Sequence, residues 1–175
     1  MNFIVLAIDH GWQLAAQGRE APELEAAKQA YSGVLARFAG EMVIGVICEE
    51  SDPCRLSIAQ AFAYNHAQRI PWKNITMSAQ ERLEAGIYDA LLNRPSHVVE
   101  EEPGVLRTVD HRIPEDDIRE EFFTRESIRA AEAHDARTAL VLCGDMHVDV
   151  LGEKFEAAGH GAVTNHDLIP RRYWQ

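Results

Sequence analysis

Short apolar runs alternate along the chain with longer segments in which apolar residues recur every three or four positions. The short runs favour strands that are buried on both faces, because they are continuous instead of alternating. They lie at 3–8, 42–48, 139–143 and 161–165, with a very short strand expected at Ile75. The helical spacing predicts helices over about 22–40, 55–68, 78–93, 116–136 and 147–158. Strands that alternate with helices predict an α/β fold, a single small domain with a mainly parallel sheet of about four to five strands flanked by helices.

The segment 94–117 interrupts this alternation. It contains Pro95, Pro103 and Pro114 and the acidic triplet Glu100–Glu102. A connection of this length is long for a compact domain, and such segments are typical of lids and binding loops. We therefore predict one domain over 1–175 with a long acidic loop or lid at about 94–117, within which 105–109 forms a short strand.

Composition and charge exclude several classes of protein. The chain has 175 residues, of which 46% are apolar and 26% charged, as expected for one globular domain. Its net charge of −11 repels phosphate, which argues against nucleic-acid and anionic-membrane partners. No apolar run approaches the ~20 residues of a membrane span, and the amino terminus lacks the basic start of a signal peptide, so we expect a cytoplasmic protein.

The three cysteines do not indicate a disulfide framework or a structural zinc site. Cys48, Cys54 and Cys143 are odd in number and show no CxxC spacing. Cys48 and Cys143 lie in strand-like apolar runs, so we expect both in the core.

Ionisable residues follow every clear strand of the predicted sheet. The residues at these exits are Asp9 and His10, then Glu49, Glu50 and Asp52, then Asp145 and His147, and finally Asn165, His166 and Asp167. The carboxyl ends of parallel strands meet at one edge of a sheet, which is where ligands bind in such folds. We therefore expect side chains more than a hundred positions apart in sequence to converge there.

Such a group of side chains suits two kinds of chemistry. His10, Glu50 and His147 could hold a divalent transition metal (Mn, Co, Zn or Fe), which would activate a water molecule. Alternatively, one histidine acts as a metal-free general base that an acid orients. His147 begins a predicted helix, whose dipole disfavours the imidazolium form and so suits either role. Whether His160 and His166 join the site is left open.

Four short motifs carry a resemblance to a known superfamily. Gly144-Asp145-Met146-His147 matches a GxxH motif after a strand, and Ala7-Ile8-Asp9-His10 matches it with Ala in place of Gly. The stretch 50–56 is similar to an ELDxxRL motif, and Arg119 lies 28 residues before His147. In this order the motifs resemble those of the TraB/Tiki, ChaN-like and erythromycin-esterase superfamily. The 144–147 region also resembles an uncharacterised bacterial group, which would imply a fold without an activity.

The superfamily resemblance implies site residues and three chemistries. It implies catalytic roles for His10, Glu50, Arg119, Asp145 and His147, with Arg125 as the other candidate arginine. Tiki-type members are metal-dependent proteases, erythromycin-esterase-like members use a histidine base, and ChaN-like members bind haem.

Three functions therefore compete. The first is a hydrolase of an ester or amide bond in a small molecule or peptide, metal-assisted or using a histidine base, in which Arg119 stabilises the oxyanion. The second is a non-catalytic haem-, metal- or ligand-binding protein, with the acidic segment 94–121 as its recognition surface and with Phe122 and Trp72 exposed. The third is a calcineurin-like phosphoesterase, because 144–147 and 165–167 are similar to fragments of that signature. The sequence does not predict an oligomeric state.

Overall fold

Five parallel strands form the central sheet of a computed structural model that describes residues 1–16, 18, 20–88, 94–102 and 105–166. The strands of this sheet are β1 (Asn2–Ile8), β2 (Val46–Glu49), β3 (Trp72–Asn74), β6 (Thr138–Gly144) and β7 (Gly161–Asn165). Their spatial order is β3-β2-β6-β1-β7, and every neighbouring pair is parallel. A separate antiparallel pair consists of β4 (Ser96–Glu102) and β5 (Val105–Asp110).

Helices cover both faces of the sheet, so the predicted α/β class is confirmed. They are α1 (His10–Gln13), α2 (Pro22–Glu41), α3 (Ile58–Asn65), α4 (Ala79–Glu84), α5 (Pro114–Ala133) and α6 (Val148–Ala157), with a 3₁₀ turn at Asp145–His147. Pro22 and Pro114 occupy the first position of α2 and α5, where their missing N–H is harmless. None of the helices in the described ranges is both long and apolar enough to cross a membrane.

The apolar side chains of β1 divide between two cores. Phe3, Val5 and Ala7 pack on the side of α5 and α6, where the Phe3 ring stacks on Phe155 with 3.9 Å between centroids. Ile4, Leu6 and Ile8 pack on the other side, against α2 and α3. Burial on both faces explains why the strands are continuous apolar runs. Cys48 and Cys143 are fully buried, as expected.

Several predicted boundaries were wrong because local signals override the apolar pattern. The run 42–48 becomes a strand only from Val46, and Val43 before it is exposed. The helix predicted over 55–68 begins after Ser57, whose hydroxyl caps it by accepting from Gln60 N–H. The helix predicted over 78–93 ends at Glu84, because Gly86 adopts a positive φ of 77°. The expected end near Asn93 lies outside the described residues.

The segment 94–117 contains regular structure in place of a long loop. Its described residues form the β4–β5 hairpin and the first turn of α5. Val98 on β4 is exposed, so this apolar residue does not mark a core-facing side of the strand. The strand expected at 105–109 is confirmed as β5.

Candidate active site

The three central strands bring His10, Glu50 and His147 to one point at the carboxyl edge of the sheet. Ile8 of β1 pairs with Gly144 of β6, and Glu50 N–H donates to the Leu142 carbonyl at 2.8 Å. A Cβ atom placed on Gly144 would lie 3.2 Å from His10 Nε2, 3.7 Å from Glu50 Oε2 and 3.7 Å from His147 Cδ2. Three side chains from distant parts of the sequence therefore surround one glycine, as the strand-exit argument predicts.

Glu50 is the buried anion at the centre of this group. Arg119 Nη2 donates to its Oε1 at 2.5 Å, and Gly144 N–H donates to its Oε2 at 3.0 Å. Burial by itself would raise the pKa of this carboxyl. Electrostatic interactions with His10, His147 and Arg119, together with the Gly144 N–H bond, outweigh burial and hold the pKa of Glu50 below its ordinary value. Glu50 is therefore ionised at neutral pH.

His10 lies at the solvent-facing side of the site. It begins α1, which Asp9 caps by accepting from Gly11 N–H at 2.6 Å. Its side chain is 56% exposed, and its Nε2 lies 3.8 Å from Glu50 Oε2. Its other ring nitrogen, Nδ1, lies 2.6 Å from Gln13 Oε1. Because an amide oxygen can only accept, Nδ1 carries a proton, and in the neutral ring the lone pair is then on Nε2.

His147 is buried and paired with a carboxylate that sequence reasoning missed. Its Nδ1 lies 2.8 Å from Glu120 Oε1, and its ring meets Phe123 edge-on at 5.7 Å between centroids. Arg112 donates to both oxygens of Glu120, at 2.6 and 2.8 Å. Burial opposes ionisation of Glu120, but its bonds to His147 and Arg112 lower its pKa below the ordinary value. An ionised Glu120 holds a proton of His147 on Nδ1, so Nε2 is the ring nitrogen that is left to exchange a proton within the site.

Helix α5 supplies the groups that support the site. Asp116, Arg119, Glu120 and Phe123 follow the i, i+3, i+4, i+7 spacing that places side chains on one helical face. The same spacing, counted from Asp116, reaches both Arg119 and Glu120 and is the sequence signal that could have found Glu120. Arg125, the other candidate arginine, lies over the Phe122 ring and pairs with Glu126.

A charged chain continues from Arg119 to the hairpin. Arg119 Nη1 donates to Asp116 Oδ1 at 3.2 Å, and Arg94 makes two bonds of 2.6 Å to the two oxygens of Asp116. Burial opposes ionisation of Asp116, but Arg94 and the Ile113 N–H hold its pKa at about 2. Arg94 also donates to the carbonyl of His111, which follows β5. The hairpin is thus tied to the helix that carries Arg119.

Asp145 and His166 form a second pair at the same edge of the sheet. His166 Nδ1 lies 2.6 Å from Asp145 Oδ1, and its Nε2 lies 2.9 Å from Asp149 Oδ1. Burial opposes protonation of His166, but these two bonds raise its pKa above the ordinary value. His160 lies at the opposite edge, where it precedes β7 and packs against Phe3.

The donor arrangement does not favour a metal ion. In the described ranges, no group of three or more His, Cys, Asp or Glu side chains is arranged to hold one. Both oxygens of Glu50 already accept hydrogen bonds, one of them from the cationic Arg119. A cation bound to Glu50 would also lie beside the positively charged Arg119 guanidinium, which repels it. Metal binding by His10, Glu50 and His147 therefore stays a prediction.

Comparison with known proteins adds no relative. Scans against protein-family models and searches of curated proteins and of solved structures found nothing that matches this chain. The superfamily resemblance therefore stays a prediction that rests on the motifs.

Proposed function

We propose that this protein hydrolyses an ester or amide bond with a histidine base and without a step through a metal. The observation that carries the proposal is the convergence of His10, Glu50 and His147 around Gly144, with the proton of each imidazole held on Nδ1. Two imidazole Nε2 atoms that can accept or donate a proton, with a fixed anion beside them, are the parts that acid–base catalysis of hydrolysis needs.

His10 is the group that accepts a proton from the attacking water. Its ring is the more exposed of the two, so water and substrate can reach it. Glu50 Oε2, at 3.8 Å from its Nε2, stabilises the imidazolium that forms when the proton is taken up. Because Glu50 is held by Arg119 and Gly144, it acts as a fixed charge and not as a mobile base.

His147 and Glu120 form the second proton-transfer unit. The ionised Glu120 accepts from the Nδ1–H of His147, so it can compensate a positive charge that develops on the ring during the reaction. When Nε2 takes up a second proton, the imidazolium that Glu120 stabilises can give that proton to the leaving group. His10 is exposed and His147 is buried against Glu120, and two histidines in such different environments can act as one base and one acid.

Arg119 is the candidate for stabilising negative charge on the substrate. Its bonds to Glu50 and Asp116 engage two of its five N–H groups. A guanidinium with remaining donors can bind the oxygen that becomes negative when water attacks a carbonyl.

The non-catalytic alternative is less well supported. It requires Phe122 to be exposed as part of a recognition surface, whereas Phe122 is buried beneath Arg125. A calcineurin-like phosphoesterase requires a metal centre, which the described donors do not favour.

The test is a hydrolysis screen with p-nitrophenyl esters of increasing chain length and with aminoacyl and peptidyl p-nitroanilides. We expect at least one substrate to be turned over by the metal-free protein. His10→Gln and His147→Gln should each lower kcat/KM by about 10²–10⁴-fold, the range for loss of a general acid or base.

His66→Gln is the matched control, because His66 follows α3 and precedes β3 at the opposite edge of the sheet. It should keep the activity of the unchanged protein. Absence of turnover across the screen, or equal loss in all three variants, would overturn the proposal.

A further inference from the structure

Glu49, next to the central Glu50, lies on the other face of the sheet in a fully buried polar cluster. Its Oε2 accepts from Ser57 Oγ at 2.5 Å and from Trp72 Nε1 at 2.8 Å. Its Oε1 accepts from Gln13 Nε2 at 3.2 Å. The cluster lies beneath α1, the short helix that begins with His10. A buried carboxylate with three donors is costly to bury, and neither the sheet nor the proposed reaction requires it.

Gln13 connects this cluster to the candidate site. Its Nε2 lies 2.6 Å from the backbone carbonyl oxygen of Glu50 as well as 3.2 Å from Glu49 Oε1. A backbone carbonyl can only accept, so the Gln13 atom that faces it is the NH₂ group whatever the charge of Glu49. The amide oxygen of Gln13 must then face His10 Nδ1, 2.6 Å away.

From this arrangement we propose that Gln13 and Glu49 are positioning residues that hold His10 in the tautomer with its proton on Nδ1. Gln13 imposes the tautomer, because its oxygen cannot bond to an unprotonated Nδ1. Glu49 fixes the second hydrogen of the Gln13 NH₂ group and so prevents the amide from turning over. The lone pair of His10 is thereby directed at Glu50 and Gly144.

This inference rests on the proposed function for its consequence, since a base needs its lone pair on the nitrogen that faces the substrate. A second pair of residues orients His147: Arg112 donates to Glu120, and Glu120 accepts from the Nδ1–H of His147. Because the two sets of residues are separate, a substitution of Gln13 or Glu49 should leave the tautomer of His147 unaltered. That independence makes the inference testable without any substrate.

The experiment records long-range ¹H–¹⁵N spectra of the ¹⁵N-histidine protein at a pH where His10 is neutral, with His10→Gln used to assign its signals. The unchanged protein should show His10 with a protonated Nδ1 and an unprotonated Nε2. Gln13→Met keeps the length of the side chain and removes the acceptor, so His10 should become a mixture of both tautomers. The signals of His147 should stay as they were, which also shows that the variant is folded.

Glu49→Gln is the second variant, and it leaves Gln13 in place. Trp72 Nε1–H can only donate, so the new amide keeps its oxygen toward Trp72 and turns its NH₂ group toward that of Gln13. Two donors then face each other, and His10 should again show a mixture. Gln80→Met is the matched control, because Gln80 is exposed and bonds only to Glu84 among the described residues. It should leave His10 unchanged.

The outcomes separate this inference from the proposed function. A His10 protonated on Nε2 in the unchanged protein, or unaltered by Gln13→Met and Glu49→Gln, overturns the inference even if the protein hydrolyses esters. A shift in tautomer supports it even if the substrate screen finds nothing. Where turnover is found, Gln13→Met should lower kcat by about tenfold or more, as for other residues that orient a functional histidine.

Discussion

Among single residues, Glu50 has the partners that most constrain the candidate site. Each of its oxygens accepts from a different donor, Arg119 on one side and the Gly144 N–H on the other. Neither donor can act as an acceptor. The site is therefore built for a carboxylate, and an amide of the same shape cannot satisfy both contacts.

Glu50→Gln should lower the free energy of unfolding by about 3 kcal/mol, because its NH₂ group must face a donor in a buried position. Chemical denaturation followed by circular dichroism measures this. Glu121→Gln, an exposed position on α5 that pairs with Lys154, should change the value by less than about 1 kcal/mol. If both variants lower the free energy of unfolding equally, the contacts of Glu50 with Arg119 and Gly144 do not require a carboxylate.

Residues at the strand exits could be predicted from the sequence, whereas the residues that hold them could not. His10, Glu50 and His147 each follow an apolar run, so the topology of a parallel sheet is enough to bring them together. Gln13 and Glu120 lie in helices and look like ordinary solvent-facing residues in the sequence. Their roles depend on the orientation of α1 and α5 against the sheet, which packing of the whole chain decides.

At the scale of elements, one face of α5 joins the sheet edge to the β4–β5 hairpin. Asp116 receives Arg94 from the segment before the hairpin and Arg119 from its own helix. Asp116 is fully buried and compensates the charge of Arg94, and it shares that of Arg119 with Glu50.

Asp116→Ala should lower the free energy of unfolding by about 3 kcal/mol, because it leaves the partly buried Arg94 without its anion and removes one of the two anions that contact Arg119. The next residue provides the control. Asp117 is exposed and pairs with Arg112 at the surface, so Asp117→Ala should cost less than about 1 kcal/mol. Denaturant titration of both proteins measures the difference, and a smaller loss for Asp116→Ala than for Asp117→Ala would contradict it.

The β4–β5 hairpin as a whole was not predicted from the sequence, although its second strand was. The run 96–102 has three adjacent acids and no alternation that would mark a core-facing strand. Its strands pair with each other and not with the main sheet, so the apolar periodicity of the core contains no trace of them. Pro103-Gly104, a turn-forming pair in the sequence, was the available signal.

At the scale of the whole molecule, the order β3-β2-β6-β1-β7 decides which strand exits meet. β6 lies between β1 and β2, so the turn that carries His147 lies between His10 and Glu50. The sequence predicted parallel strands with a shared edge, but it could not predict this order. Helices of similar length can connect parallel strands in several different strand orders. Packing of the helices against both faces of the sheet selects one of these orders.

The carboxylates with lowered pKa values, Glu50, Asp116 and Glu120, predict a fold that is sensitive to acid. A group with a lowered pKa in the folded state stabilises the fold above its unfolded pKa, and this contribution is lost as the pH falls through the folded value. The advantage of the unchanged protein over Asp116→Asn should be constant near neutral pH and should shrink from about pH 4 toward pH 2. Urea unfolding across this range measures it, and an advantage that grows on acidification would contradict the assignment.

Convergence of the whole fold on one point can be tested at Gly144, where φ is −58° and an alanine is allowed by the backbone. Its Cβ would lie 3.2 Å from His10 Nε2, and the exposed His10 ring can move to relieve this contact. We therefore expect Gly144→Ala to fold, with a free energy of unfolding lowered by no more than about 1 kcal/mol. The variant should displace His10 from Gln13 and lower kcat/KM by about tenfold or more.

Gly33→Ala is the control, since nothing lies within 4 Å of its Cβ on α2. It should raise the free energy of unfolding by up to about 1 kcal/mol with unchanged turnover. Full activity in Gly144→Ala would mean that the space above Gly144 is not where the reaction occurs, because any substrate bound there must share it with the added methyl group.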